Sequence, residues 1–202
     1  MKISRCLVVL TLFLAAAACG ATRPIKYYQL EIPSPNPGTA RDGFSVALQV
    51  GNIESPPILR DGRILYQTGL HEVGAYEYHR WVETPDHVVQ DSLVRLLRGS
   101  GRFQSVDTPR NSAKPDYIIQ GKIYEFAEVD KPQVFARVSL EIELNDAKTG
   151  RTVWSRVYTN EESVEGKEIQ DVVHSLDQNL GHGVTQIVAG LDQYFAGVSP
   201  SR

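Results

Sequence analysis

The sequence predicts an α+β fold in two layers: a mostly antiparallel sheet of six or seven strands with two amphipathic helices packed on one face. Residues 134–145 carry an apolar side chain at every second position, and the positions between them are polar apart from Phe135, which is typical of a strand with one buried and one mostly solvated face. Residues 85–99 and 168–195 instead carry apolar side chains at steps of three or four, the period of a helix. Shorter apolar runs separated by Gly- and Pro-rich stretches predict the remaining strands.

The first half of the chain contains three predicted strands: Tyr27–Ile32, Phe44–Ile53 and Leu70–Tyr78, the last of which ends at Trp81. Aromatic and β-branched residues are frequent in these runs, and such residues favour strands. Between the second and third strand, residues 54–69 contain Pro56-Pro57 and Asp61-Gly62, so we expect a loop there with one short apolar piece.

The first helix has a recognisable start. Thr84 can cap it, Pro85 suits the first helical position, and Asp86 complements the positive end of the helix dipole. Apolar residues then recur at helical spacing until Gly99, where we expect the helix to stop.

The second half of the chain predicts an edge strand at 103–106, a central strand at 117–126, and a hairpin joining 134–145 to 152–158 through the turn at Asp146–Gly150. The last element is a helix of about 40 Å. Gly181 and Gly183 are the positions at which an interruption of this helix is expected.

The N-terminus predicts export. A positively charged start is followed by twelve apolar or small residues, Leu7–Ala18, which is the pattern of a secretory signal and too short to span a bilayer as a helix. The run ends in Ala-Ala-Ala-Cys19-Gly, where small residues precede a thiol that can accept a diacylglycerol. We therefore expect a lipoprotein signal at 1–18 and acylation of Cys19. The alternative is ordinary signal cleavage, which would release a soluble exported protein with a chance cysteine.

The domain boundaries follow from this interpretation. We expect the lipidated cysteine and a short tether at 19–26, a single periplasmic domain at 27–196, and a frayed tail at 197–202. The only other cysteine, Cys6, lies in the signal, so the mature chain contains no internal disulfide. The 21 basic and 24 acidic residues become 19 and 24 when Lys2 and Arg5 leave with the signal. This acidic balance argues against nucleic-acid binding.

Catalytic and metal-binding patterns are missing from the sequence. No nucleophile elbow, phosphate-binding loop or dinucleotide fingerprint occurs, and the five histidines are not spaced as metal ligands. Glu141 and Glu143 share a strand face at a separation that paired catalytic carboxylates can have, but a solvated strand face explains them better. We predict a protein that is not an enzyme, with no cofactor and no metal.

Aromatic side chains are the better functional lead. They concentrate in the first strand, at the Tyr76–Trp81 junction and in the central strands. Most of them are expected in the core or over a sheet edge, and those left outside would form a partner-binding patch. The candidates for such a patch are Tyr76, Tyr78, Trp81 and Phe135.

The order of these features resembles the ABC-type transport auxiliary lipoproteins, the family of paraquat-inducible protein C. The resemblance lies in the lipoprotein signal and in a series of short motifs: Tyr27–Leu30, Ile64–Tyr66, Tyr76–Tyr78 with Trp81, Gly101–Phe103, Asp116–Ile119 and the Asp146–Gly150 hairpin before the long C-terminal helix.

This resemblance implies an outer-membrane lipoprotein that faces the periplasm. Its implied partners are a mammalian-cell-entry (MCE) domain protein and an inner-membrane ABC transporter, with phospholipid or another hydrophobic compound as cargo. It also allows for a homo-oligomeric ring. Two alternatives remain open: an independent periplasmic lipid or ligand carrier with its own cavity, and a structural assembly lipoprotein.

Overall fold

Eight strands and three helices make up the part of the chain that the computed structural model describes, which is residues 23–31, 33, 43–109, 114–130 and 132–198. The strands are β1 (Lys26–Tyr28), β2 (Phe44–Glu54), β3 (Arg63–Thr68), β4 (Glu72–Trp81), β5 (Phe103–Asp107), β6 (Tyr117–Asp130), β7 (Val134–Asp146) and β8 (Thr152–Ser163). The helices are α1 (Pro57–Arg60), α2 (Pro85–Ser100) and α3 (Ile169–Val198). The predicted α+β class is confirmed. The predicted signal, Cys19 and the end of the predicted tail lie outside the described residues.

The sheet is organised around β6, the strand predicted to be central. One edge of β6 pairs with β7 along its length in antiparallel orientation. The other edge pairs in parallel with two strands in succession, β2 along residues 117–122 and β3 along 127–130. Beyond them β5 pairs with β2, β4 with β3, and β1 with β4, while β8 continues the sheet past β7.

The sheet is mixed, and it has one strand more than the upper expectation. Four of its seven strand pairings are parallel, although the two long ladders of β7 are antiparallel. The additional strand, β3, lies with α1 in the region expected to be a loop, because Pro57 starts a short helical turn after which the chain rejoins the edge of β6. Strand β1 is shorter than predicted, because the chain turns away after Tyr28 to place Leu30 in the core and the amide of Glu31 on Asp177.

Both long helices form where the apolar period indicated. Helix α2 has Thr84 at its N-cap position and Pro85 at its first turn, and it continues past Gly99 to Gly101, whose φ of 64° is the left-handed conformation that glycine adopts without strain. Helix α3 is continuous over 30 residues and is not interrupted at Gly181 or Gly183. Packing explains why a glycine stands at position 183 inside this helix, because the ring of Tyr158 occupies the space into which a larger side chain would project.

The core lies between the sheet and the two long helices, which pack on the same face and contact each other. Alternate side chains of β7 from Ala136 to Leu144 point into it and are fully buried, as the alternation predicted. Phe126 of β6 and Phe195 of α3 are the largest fully buried side chains. The sheet surface opposite α2 and α3 is called the outer face below.

Candidate functional site

Trp81, the last residue of β4, is a core residue. Its side chain is 4% exposed, and its ring packs edge-on against Phe126 with 5.6 Å between the ring centroids. The ring therefore holds β4 against the centre of the sheet. A side chain in this position shapes a surface only by positioning its neighbours.

Tyr76 belongs to a group of rings that we call the aromatic cluster, formed by Tyr28, Tyr66, Tyr76 and His79. Their centroids are joined by separations of 5.0 Å for Tyr66–Tyr76 and 5.6 Å for Tyr76–His79 and Tyr28–His79. These distances are in the favourable range for tilted and edge-to-face packing. The cluster joins β1, β3 and β4. These three strands form the wing of the sheet that has few contacts with α3.

Two hydrogen bonds fix the orientation of the aromatic cluster. The hydroxyl of Tyr76 donates to Oε2 of Glu128 at 2.7 Å, and the hydroxyl of Tyr28 is hydrogen-bonded to Nδ1 of His79 at 2.9 Å. Burial, followed by the bond to Glu128, raises the pKa of Tyr76 well above its ordinary value. Burial, followed by the charge of Lys26, lowers the pKa of His79. At neutral pH the phenol of Tyr76 and the imidazole of His79 are therefore both neutral.

Gly74 makes room for this arrangement. A Cβ atom built on Gly74 would lie 2.3 Å from Cζ of Tyr66, so the phenol ring covers the backbone at this position. Only glycine allows that approach. The sequence contained this glycine inside a predicted strand, which is a signal for close approach of another group.

Tyr78 lies on the other side of β4 from His79. The register places Arg80 opposite Tyr27 of β1 and His79 opposite Lys26, and alternation along the strand gives Tyr78 the same face as Arg80. Tyr78 is half-buried, and Tyr27 is largely exposed. Both phenols lie at β1, the strand through which the chain enters the sheet.

Phe135 lies on the outer face, within a row of side chains that runs across four strands. The register places Val73, Gln67, Val129 and Phe135 opposite one another in β4, β3, β6 and β7, and we call these four residues the outer row. Val129 is 1% exposed, whereas Val73 is 51% exposed and Phe135 is half-buried. The row is an apolar strip that is interrupted by the polar side chain of Gln67 and whose two ends are accessible to solvent.

A charged network borders the outer row. Arg137 forms ion pairs with Glu125, at 3.3 Å from Nη1 to Oε1, and with Glu161. It also donates a long hydrogen bond to Gln67, a member of the row. An apolar strip with a satisfied polar border has the composition of a small interface core and its rim.

The structure does not bring the four predicted binding residues into one patch. Trp81 is in the core and Tyr76 in the aromatic cluster, while Tyr78 and Phe135 lie on β4 and β7, which are separated by β3 and β6. At about 4.8 Å per strand, β4 and β7 are roughly 14 Å apart, and Tyr78 lies a further five residues, about 16 Å, along β4 from Val73, the residue in register with Phe135. Sequence reasoning missed Val73 and Val129, because each was one apolar residue among many and only strand pairing places them beside Phe135.

No group of three or more His, Cys, Asp or Glu side chains within the described ranges is arranged to hold a metal ion. Glu141, one of the two carboxylates considered above, accepts a 2.6 Å hydrogen bond from the exposed phenol of Tyr124. Among the helices of the described ranges, none is both long and apolar enough to cross a bilayer.

Two clefts on the surface are lined by described residues. One, of about 310 Å³, lies between β8 and α3 and is lined mainly by polar side chains, including Arg156, Asn160 and His182. The other, of about 340 Å³, lies at the start of β2 beside Arg102, whose guanidinium stacks on Phe44 at 4.4 Å. Neither is lined as an apolar cavity for an acyl chain would be.

Comparisons with known proteins agree with this architecture. Residues 28–188 match the family model described as the ABC-type transport auxiliary lipoprotein component. The crystal structure of protein XCC0632 from Xanthomonas campestris, of the DUF330 family, is 21% identical, with a TM-score of 0.72 over 81% of this chain and 92% of that chain. A crystal structure of an uncharacterized protein is 18% identical, with a TM-score of 0.65 over 84% of this chain and 99% of that chain. Both similarities concern the fold. No curated protein matches the sequence at a significant level.

Proposed function

The chain belongs to the family of ABC-type transport auxiliary lipoprotein components, and on this premise we propose that it docks an MCE-domain protein at the outer membrane. In this role it is a non-catalytic lipoprotein, anchored in the membrane and facing the periplasm. The MCE protein connects it to an inner-membrane ABC transporter, and lipid or another hydrophobic compound is the cargo.

The anchor in this proposal is the acylated Cys19. Its support is the small-residue sequence before the cysteine, together with the lipoprotein character of the family. Acyl chains on one cysteine provide the membrane attachment that an acidic protein surface does not. Mass spectrometry of the mature N-terminus tests this step, since an unmodified cysteine would overturn it.

The observation that carries the docking role is the outer row, because it is an apolar strip on the sheet face opposite the long helices. Phe135 is its accessible aromatic residue and Val73 its most exposed end. Tyr78 extends the surface along β4, while Tyr76 and Trp81 hold that strand in place from the other side. A partner that covers the row would bury apolar area inside a polar rim.

The filled interior favours docking over an independent carrier. The space between the sheet and the helices is occupied by fully buried side chains, the largest being Phe126 and Phe195. A carrier would need an apolar cavity at that position.

A homo-oligomeric ring is compatible with the same role. Among the described strands β8 pairs only with β7, β5 only with β2 and β1 only with β4, so each of these three terminal strands has one edge to which no described strand is paired. Such edges can pair with another copy in a head-to-tail manner. Light scattering of the detergent-solubilised lipoprotein measures the number of copies, and a monomer at all concentrations would contradict the ring.

The docking role is tested by binding of the MCE protein to surface variants. We expect Phe135→Ala to weaken binding roughly 10-fold, which is typical of an aromatic contact at an interface centre, and Tyr78→Ala, which lies farther along β4, to weaken it less. Val157→Ala is the matched control, because Val157 is 58% exposed on the same face but lies opposite Glu141, about 20 Å along β7 from Phe135. Equal binding by all three variants and the wild type would rule out the outer row as the docking surface.

A further inference from the structure

The chain enters the sheet from the end occupied by the β3–β4 hairpin. Strand β1 runs parallel to β4, with Lys26 opposite His79 and Tyr28 opposite Trp81. Since β4 starts at the hairpin with Glu72, the residues before Lys26 lie on the hairpin side of β1. Arg23 is accordingly close enough to Tyr78 for its charge to act on that phenol.

The length of the intervening chain limits how far the predicted anchor can lie from this end of the sheet. Cys19 precedes Arg23 by four residues, which span at most about 14 Å when extended. From Tyr78 to Glu72 the β4 strand covers about 20 Å in the same direction. Even a connection that is fully extended toward the hairpin would therefore not carry Cys19 beyond the level of the hairpin tip.

The hairpin tip exposes an apolar side chain. Thr68 and Glu72 form the last pair of the β3–β4 ladder, and Gly69, Leu70 and His71 form the turn. Gly69 adopts a φ of 69°, and its carbonyl accepts a 3.2 Å hydrogen bond from the side chain of Gln67. Leu70 is 83% exposed, the largest value among the exposed apolar side chains of the described residues.

We propose that this tip is a second membrane contact, with Leu70 inserted into the headgroup region of the bilayer that holds the acylated Cys19. The proposal rests on the lipid anchor of the proposed function. An acyl anchor supplies the affinity, and a leucine held on a tight turn fixes the orientation, because one apolar side chain alone binds a bilayer weakly. Glu72 and Asp130 flank the base of the tip, so insertion is shallow and needs no anionic lipid.

This contact orients the whole domain. The hairpin end of the sheet faces the bilayer, and the opposite end of β4, where Val82 donates its amide to the carbonyl of Tyr28, points into the periplasm. The outer row, which begins at Val73, is then close to the membrane surface. A partner arriving from the periplasm would meet it from the side.

The test uses the full-length lipidated protein in phosphatidylcholine vesicles with a Leu70→Cys substitution, labelled with an environment-sensitive fluorophore. The mature chain has no other free thiol, because Cys19 carries the lipid and Cys6 leaves with the signal. Val82→Cys is the matched control, since Val82 is 59% exposed at the other end of the same strand. We expect lipid-borne spin labels to quench the Leu70 probe roughly twofold or more and to leave the Val82 probe unchanged.

The outcomes separate this proposal from the proposed function. If the protein is acylated and vesicle-bound but both probes remain in water, the tip does not contact the bilayer and the membrane contact is overturned. If the Leu70 probe is shielded only after the MCE protein is added, the tip is a protein contact, which also overturns it. An unmodified Cys19 in the mass spectrum would refute the lipid anchor itself.

Discussion

The hydroxyl of Tyr76 donates a 2.7 Å hydrogen bond to Oε2 of Glu128, a residue 52 positions further along the chain. The bond joins β4 to the central strand β6 across β3, on a part of the sheet that α2 and α3 contact little. Together with the ring contacts of the aromatic cluster, it explains how the β1–β4–β3 wing is held to the rest of the sheet.

Removal of this hydroxyl should destabilise the domain. Tyr76→Phe leaves the half-buried carboxylate of Glu128 without its donor, and we expect a loss of about 1–2 kcal/mol in the free energy of unfolding. Urea denaturation measures it. Tyr124→Phe is the control, because it removes a similar 2.6 Å bond to Glu141 at an exposed site and should change stability by less than about 0.5 kcal/mol. Equal losses in the two variants would mean that the burial of the Tyr76–Glu128 hydrogen bond does not increase its contribution to stability.

Two neighbouring glycines of α3 should respond to alanine in opposite directions. At Gly181 the nearest atom to an added Cβ is 3.8 Å away, so Gly181→Ala should stabilise by up to about 1 kcal/mol through helix propensity. At Gly183 the added Cβ would lie 2.7 Å from Cδ1 of Tyr158, and we expect a net loss of about 1–2 kcal/mol from overpacking. Thermal unfolding of both variants provides the comparison, and stabilisation by Gly183→Ala would show that the Tyr158 ring can move aside.

Asn179 should be the most sensitive polar residue of the core. It is fully buried, accepts a 2.7 Å bond from the hydroxyl of Tyr158, and donates to the carbonyls of Ala136 and Asn160 at 2.8 and 3.0 Å. Asn179→Ala leaves these groups unpaired and should cost about 2–3 kcal/mol in unfolding free energy. Asn145→Ala, at an exposed side-chain pair with Gln120, should cost well under 1 kcal/mol. A small effect at position 179 would imply that water replaces the lost bonds.

His79 should make stability depend on pH near its ordinary pKa of 6.5. Burial, followed by the charge of Lys26, lowers its pKa in the folded protein, so the unfolded chain binds the proton more readily. This contribution to stability is present above the unfolded pKa and is lost as the pH falls through the folded pKa. We therefore expect the urea concentration at the midpoint of unfolding to decrease as the pH is lowered from about 7.5 to about 5.5. This decrease should be smaller in His79→Gln. His71→Gln, at the exposed hairpin tip, serves as the control, and an unchanged pH profile in His79→Gln would contradict the assignment.

Local patterns in the sequence determined most of the secondary structure. The alternation of residues 134–145 and the helical spacing after Glu168 reflect burial on one face of a single element, and each pattern can be recognised within that element alone. The start of α2 at Pro85 is also local, because the cap and the first turn are adjacent in the chain. The class of the fold follows from these elements alone.

Tertiary structure alone decided where the aromatic residues lie. Tyr76, Tyr78 and Trp81 stand within six positions of one another, yet one is in the aromatic cluster, one on the opposite side of β4 and one in the core. Phe135 gains its surface from Val129, Gln67 and Val73, which become its neighbours only through pairing of four strands. Periodicity reports whether one face of an element is buried, whereas the identity of the covering partner depends on contacts between residues distant in the chain. For the same reason only the folded sheet shows that β1 runs parallel to β4. This direction places the residues before Lys26 on the side of the hairpin tip.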